Sequence, residues 1–206
     1  MFRIAFLVLL VALFSLRFYF MIKVRRAGER LMPDKQAVRR EGGPAVFIIR
    51  VVIFAFLVVF LVMYTINMKW IDIYAFTLPT WLRWTGFGLG LLSVAFWTWT
   101  QIHLDTQWSA QLQLRKEHRL ITSGPYARIR HPLYSAMFSW GIALALLNAN
   151  WIFVALAILM IAGILVHIPR EEKLMLEAFG DEYQAYIRRT GKYFPKLRGS
   201  EGIACN

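Results

Sequence analysis

Five long apolar stretches, at 2–22, 45–66, 81–101, 133–147 and 151–168, leave this chain few architectures. A bilayer's hydrocarbon core takes about 20 helical residues to cross. Inside it, every backbone N–H and C=O must find a partner within a helix or a closed barrel. The stretches therefore predict an all-α, polytopic membrane protein with about five transmembrane helices. Composition agrees: 58% of the residues are apolar and 17% charged, outside the range of a soluble domain. The fourth stretch is short. Only Asn148-Ala149-Asn150 divides it from the fifth, which predicts a tight helical hairpin. The first stretch is too long for a signal-peptide core and lacks a small-x-small cleavage site, so it is expected to be retained.

A formal charge of +12 would suit a nucleic-acid binder, but the distribution points elsewhere. Of the 24 Lys and Arg residues, seven fall within 23–40, five between the third and fourth stretches, and seven after Pro169. The segments 67–80 and 148–150 hold only Lys69. Under the positive-inside rule the amino terminus lies outside and the carboxyl tail in the cytoplasm. The basic excess is then a topology signal and an attraction for anionic membrane lipids. No nucleic-acid partner is expected, because no recognition fold is present to carry the charge. Cys205, the lone cysteine, cannot form an internal disulfide and is misplaced for prenylation.

Tyr19, Tyr64, Trp70, Trp81 and Trp151 stand near stretch ends and read as an interfacial belt. Gly86, Gly88 and Gly90 resemble a phosphate loop only on paper. Within an apolar helix, small residues serve close packing. His131-Pro132 predicts a helix starting at Pro132, since a residue before proline avoids the helical region and proline suits the first turn. Pro169 is expected to bend the chain at the end of the fifth stretch. Gly180 should stop the amphipathic segment 170–179, and Asp181 should cap a last short helix through Arg189.

Chemistry-bearing residues gather in three places: 111–126 with His118 and Ser123-Gly124-Pro125-Tyr126; 128–134 with His131 and Tyr134; and His167, Arg170, Glu171 and Glu172. The hairpin forces the start of its first helix beside the end of its second, so His131 and Glu171 must be neighbours. A helix start there offers free N–H groups to a carboxylate. The acids suit an ammonium or ribose hydroxyls, and an aromatic ring suits a sulfonium. S-adenosylmethionine carries all of these groups, although nucleotides and lipid headgroups share several of them. Each residue also has a plain reading. On it His131 serves only a helix start, Glu171 and Glu172 form a solvated face beside Arg170 and Lys173, and the tyrosines are interfacial anchors. His167 shares a helical face with Glu171 if the helix runs on past Pro169.

The pattern Ser123-Gly124-Pro125-Tyr126-x4-His131-Pro132-x-Tyr134, then Glu171-Glu172-x6-Phe179-Gly180-x2-Tyr183-x2-Tyr186 and Pro195, resembles the isoprenylcysteine carboxyl methyltransferase family. Phospholipid methyltransferases share it. The likeness covers 101–197 well and the first three stretches vaguely. It implies three N-terminal membrane helices in 1–100, and in 101–206 a methyltransferase core holding S-adenosylmethionine in a cytoplasmic pocket. A lipid-like methyl acceptor would enter from the bilayer. The cofactor contacts implied are Gln111, His118, Arg119, Leu120, Ile121, Tyr126, His131, Pro132, Leu133, Tyr134, Glu171 and Glu172; no metal is implied. His167 and Arg170 would face the acceptor as catalytic residues, with His167 standing where the family typically has an arginine. The acceptor is expected to be a carboxylate of the isoprenylcysteine type, with a phospholipid amine or a small thiol as alternatives. A non-enzymatic transporter or scaffold is the competing class, and the lack of ionisable groups at the stretch centres counts against transport.

Overall fold

The computed structural model describes residues 1–26, 39, 43–66, 69–104 and 120–196. They form five long helices: α1 (Phe2–Arg26), α2 (Gly43–Thr65), α3 (Thr80–Leu104), α4 (Pro132–Asn148) and α5 (Trp151–Arg189). Short 3₁₀ turns occupy Lys69–Tyr74 and Gly124–Ala127. Among the described residues there is no β-strand, only isolated bridges pairing Ala75 with Asn150 and Ile129 with Gly191. Each apolar stretch has become a helix. By length and hydropathy alone three qualify as membrane-crossing, namely α1, α2 and α5. α3 is long enough but carries Arg83, Gln101 and His103. α4, at 17 residues, rises about 26 Å, just short of a full crossing.

Apolar side chains gain little by leaving lipid for one another, so close packing and hydrogen bonds must hold these helices together. The α3–α4 contact shows the first. At Gly86 a Cβ would lie 2.7 Å from the backbone N of Leu147 and 3.0 Å from the Ala143 carbonyl oxygen, so only glycine lets the helices meet. Gly90 accepts the flexible end of Leu9 from α1, whereas Gly88 faces open space and serves no contact. Phe6 of α1, Tyr64 of α2 and Phe153 of α5 join their helices edge-to-face, with centroids 4.9–5.5 Å apart.

The hairpin tip shows the second. Ala149 adopts the left-handed conformation at φ 49°. The Asn150 side chain accepts from the Ile152 N–H at 2.9 Å, capping α5, and its amide donates to the Ile71 carbonyl at 2.9 Å. Arg83 donates to the Leu147 carbonyl at 2.9 Å, placing a cation on the carboxyl end of α4. Tyr64 is no belt residue. Its ring is buried and its hydroxyl donates to Asn148 at 2.6 Å. Trp70, Trp81, Trp151 and Tyr19 are exposed, as an interfacial belt requires.

The helical run of α5 continues through Pro169, which therefore does not end it, and it breaks at Gly180, where φ is 47° and ψ −121°. His167, Arg170, Glu171 and Glu172 consequently stand on one rod that projects beyond the start of α4.

Candidate functional site

The site lies at the open end of the α4–α5 hairpin and begins with the Ser123-Gly124-Pro125-Tyr126 turn. Gly124 has φ 57°, and a Cβ there would fall 2.2 Å from the His103 ring, so glycine is required both by conformation and by space. His103 is held in turn by donating to the Trp99 carbonyl at 2.9 Å. The end of α3 thereby docks on the turn that carries Tyr126. Tyr126 is buried, and its carbonyl accepts from the Tyr186 hydroxyl at 2.7 Å. Burial, and then the charge of nearby Glu171, pushes the Tyr126 phenol well above its usual range, so it stays protonated.

His131 precedes Pro132, the first residue of α4, and is buried. Its Nε2 lies 3.1 Å from Glu172 Oε1, and its ring stacks on Tyr134 with centroids 5.5 Å apart. The Tyr134 hydroxyl donates to Glu171 Oε2 at 2.8 Å. His131 Nδ1 lies 3.9 Å from that same oxygen. His167 meets the edge of the Tyr134 ring at 6.5 Å. The helical spacing of His167 and Glu171 thus does place both beside Tyr134.

The two acids differ in their surroundings. Glu172 takes Lys192 on Oε2 at 3.0 Å, and Arg130 at 3.5 Å with His131 on Oε1. Its side chain is 19% exposed against 34% for Glu171. The hydrogen bond from His131, and then that from Lys192, outweigh burial and hold the Glu172 carboxyl down to about 2. An ionised carboxylate only accepts, so the His131 proton facing it sits on Nε2. Tyr183 is pushed up by burial first and then by the charges of Glu172 and Glu171.

The tail completes the arrangement. Arg130 donates to the carbonyls of Ile187 and Thr190 at 3.1 and 2.7 Å. The Arg130 and His131 N–H groups reach the carbonyls of Gly191 and Lys192 at 2.9 and 3.1 Å, and Ser135 donates to the Tyr193 carbonyl at 2.6 Å. At Gly191 a Cβ would overlap the Phe194 carbonyl, so the chain turns there only as glycine.

Of the residues expected at the site, Tyr126, His131, Pro132, Tyr134, His167, Glu171 and Glu172 come together. Leu133 leans on the buried cluster of Phe20, Trp97 and Ala136. Leu120 and Ile121 are half-buried ahead of the turn, and Arg170 is exposed. Gln111, His118 and Arg119 lie outside the described residues. Sequence reading misses Lys192 and Ser135 and gives Arg130 no role: basic residues of the loop and tail read as a topology signal, and a serine inside an apolar helix carries no signal of its own. Among the described residues, no group of three or more His, Cys, Asp or Glu could hold a metal.

Helices and site together describe a multi-pass helical membrane protein with a polar, partly buried site at one end of a hairpin. The family model of isoprenylcysteine carboxyl methyltransferases matches residues 86–177, from Gly86 through α4 and into α5, and with the relatives below it supports a protein of that family. The chain is 30% identical over 141 residues to the nickel-cobalt-cadmium resistance protein NccN of Alcaligenes xylosoxydans xylosoxydans, covering 68% of this chain and 61% of that one. It is 32% identical to the protein-S-isoprenylcysteine O-methyltransferase of Schizosaccharomyces pombe, over 40% of this chain and 35% of the other. The human protein of that name is 34% identical over 40% and 29%. The match thus spans between 29% and 61% of the length of these relatives. A solved structure of the eukaryotic intramembrane Ras methyltransferase ICMT is similar at a TM-score of 0.49 and 25% identity, over 58% of this chain and 44% of that one.

Proposed function

We propose that the chain is an integral membrane methyltransferase that uses S-adenosylmethionine, with a lipophilic acceptor of the isoprenylcysteine carboxylate type. The observation that carries this reading is the Tyr134–Glu171 contact at 2.8 Å, which joins the start of α4 to the exit of α5. Donor chemistry and site agree. Glu171 is a partly open carboxylate suited to an ammonium, the Tyr134 ring offers a face to a sulfonium, and the start of α4 suits a carboxylate. Family membership supports the same class of reaction, and the apolar helices around the site suit an acceptor that arrives from lipid.

When bound, the donor supplies a methyl on a sulfonium, already a good leaving group. The protein's task is to align the partners and exclude water. A carboxylate or thiolate acceptor needs no base, whereas an amine would first have to lose a proton. Glu171, Tyr134 and Tyr126 bind and orient the donor. Glu172 and His131 hold Tyr134 from behind, and His167 with Arg170 faces the acceptor.

Calorimetric titration of S-adenosylhomocysteine into the wild-type protein and Glu171→Gln tests the assignment. We expect at least tenfold weaker binding in the variant, the loss of a charge-assisted contact. Equal affinity in the two proteins would sink it. Labelled donor and candidate acceptors in membranes identify the product: loss of label in mild base means an ester, and a base-stable label means an amine or a thioether.

A further inference from the structure

Gln101, near the end of α3, is 1% exposed, yet among the described residues neither its Nε2 nor its Oε1 has a hydrogen-bond partner. It is not one of the residues that the family pattern singles out. An amide stripped of water and left unpaired destabilises a fold, while leucine in its place would not. A bound ligand would resolve the conflict.

The register of α3 on α4 shows where that partner lies. Gly86 meets Leu146 and Leu147. Ser93 donates to Ser139 at 2.8 Å, and Trp97 shares a buried cluster with Ala136. The helices run antiparallel, so four residues beyond Trp97 brings Gln101 level with Pro132, where α4 begins. Glu171 approaches that same first turn from the α5 side, through Tyr134. Gln101 and Glu171 thus flank the start of α4. One turn back along α3 the layer is apolar, with Phe20, Trp97 and Leu133 in one cluster. A charged group would be poorly placed there. The requirement is a flat neutral edge with adjacent donor and acceptor. A lipid ester has acceptors only and would leave Nε2–H unpaired. The adenine of the methyl donor carries such an edge, and a glutamine side chain pairs with it in two hydrogen bonds.

Resting on the methyl-donor reading above, we propose that Gln101 binds the nucleobase of S-adenosylmethionine. Its Oε1 accepts from the exocyclic amine and its Nε2 donates to N7, an edge on which the inosyl compound offers two acceptors and no donor.

The test uses the full chain in detergent, two ligands and one variant. The ligands are S-adenosylhomocysteine and S-inosylhomocysteine, in which a carbonyl replaces the amine. We expect wild type to bind the inosyl compound roughly tenfold or more weakly. Gln101→Leu should bind S-adenosylhomocysteine roughly tenfold or more weakly and no longer discriminate between the two. The ligand-free variant should melt at or above the wild-type temperature, because an unpaired buried amide has been removed. Equal binding of both compounds by wild type would overturn the proposal without recourse to any variant. Unchanged affinity and discrimination in Gln101→Leu would overturn it too. A lower melting temperature of the ligand-free variant would also do so, since the amide would then have a structural water as its partner. If wild type binds neither compound, the methyl-donor reading itself fails and takes this proposal with it.

Discussion

Two adjacent glutamates have different partners, and on the proposed function one binds while the other braces. Glu172 accepts from His131 and is a counter-ion for Lys192 and Arg130, so it anchors the tail to the start of α4. Its carboxyl, held down to about 2, sits below the ordinary 4.5. The stability this contributes is therefore complete above about pH 4.5 and is lost as pH falls towards 2. Thermal unfolding between pH 6 and pH 2.5 should show wild type losing stability through that window. Glu172→Gln should start lower at pH 6, by about 1–3 kcal/mol, and show a flatter acid limb. Parallel curves for the two proteins would contradict the anchoring role. Glu171→Gln, by contrast, should keep near-wild-type melting while losing ligand affinity. Which acid binds and which one braces was invisible in the pair itself, because the deciding partner, Lys192, stands 20 residues away.

Along α3 the glycines form an internal control on helix packing. Gly86 meets backbone, Gly90 meets the end of a flexible leucine, and Gly88 meets nothing. Gly86→Ala should destabilise by about 1–3 kcal/mol, the range for forcing extra volume into a packed contact. Gly90→Ala should cost less, because the Leu9 side chain can rotate away. Gly88→Ala should be neutral or stabilising by up to about 1 kcal/mol through helix propensity. Melting temperatures of the three variants in one detergent give the order. A Gly88 variant as damaged as the Gly86 one would mean that α3 packs through another face. Glycine spacing in an apolar run was legible as a packing stripe, but which of the three touches a neighbour depends on the rotation of α3 against α4.

Across the whole molecule, charge asymmetry predicts one orientation: the loop and tail basic residues, and with them the site, in the cytoplasm. Cys205 is the chain's lone cysteine and makes the prediction measurable. A membrane-impermeant thiol reagent should label it in inside-out vesicles and spare it in intact cells, and the reverse pattern would invert the topology. The sequence by itself determined the five helices, because lipid leaves a long apolar backbone no other way to satisfy its hydrogen bonds. It determined too that His131 and Glu171 would be neighbours, because a three-residue tip forces two helices side by side. Only the tertiary structure decided that Tyr64 is core rather than belt, that the tail is pinned along 128–131, and that Gln101 is buried without a partner among the described residues. Those outcomes turn on how helices are rotated and which distant groups meet, and no periodicity within a single helix encodes either.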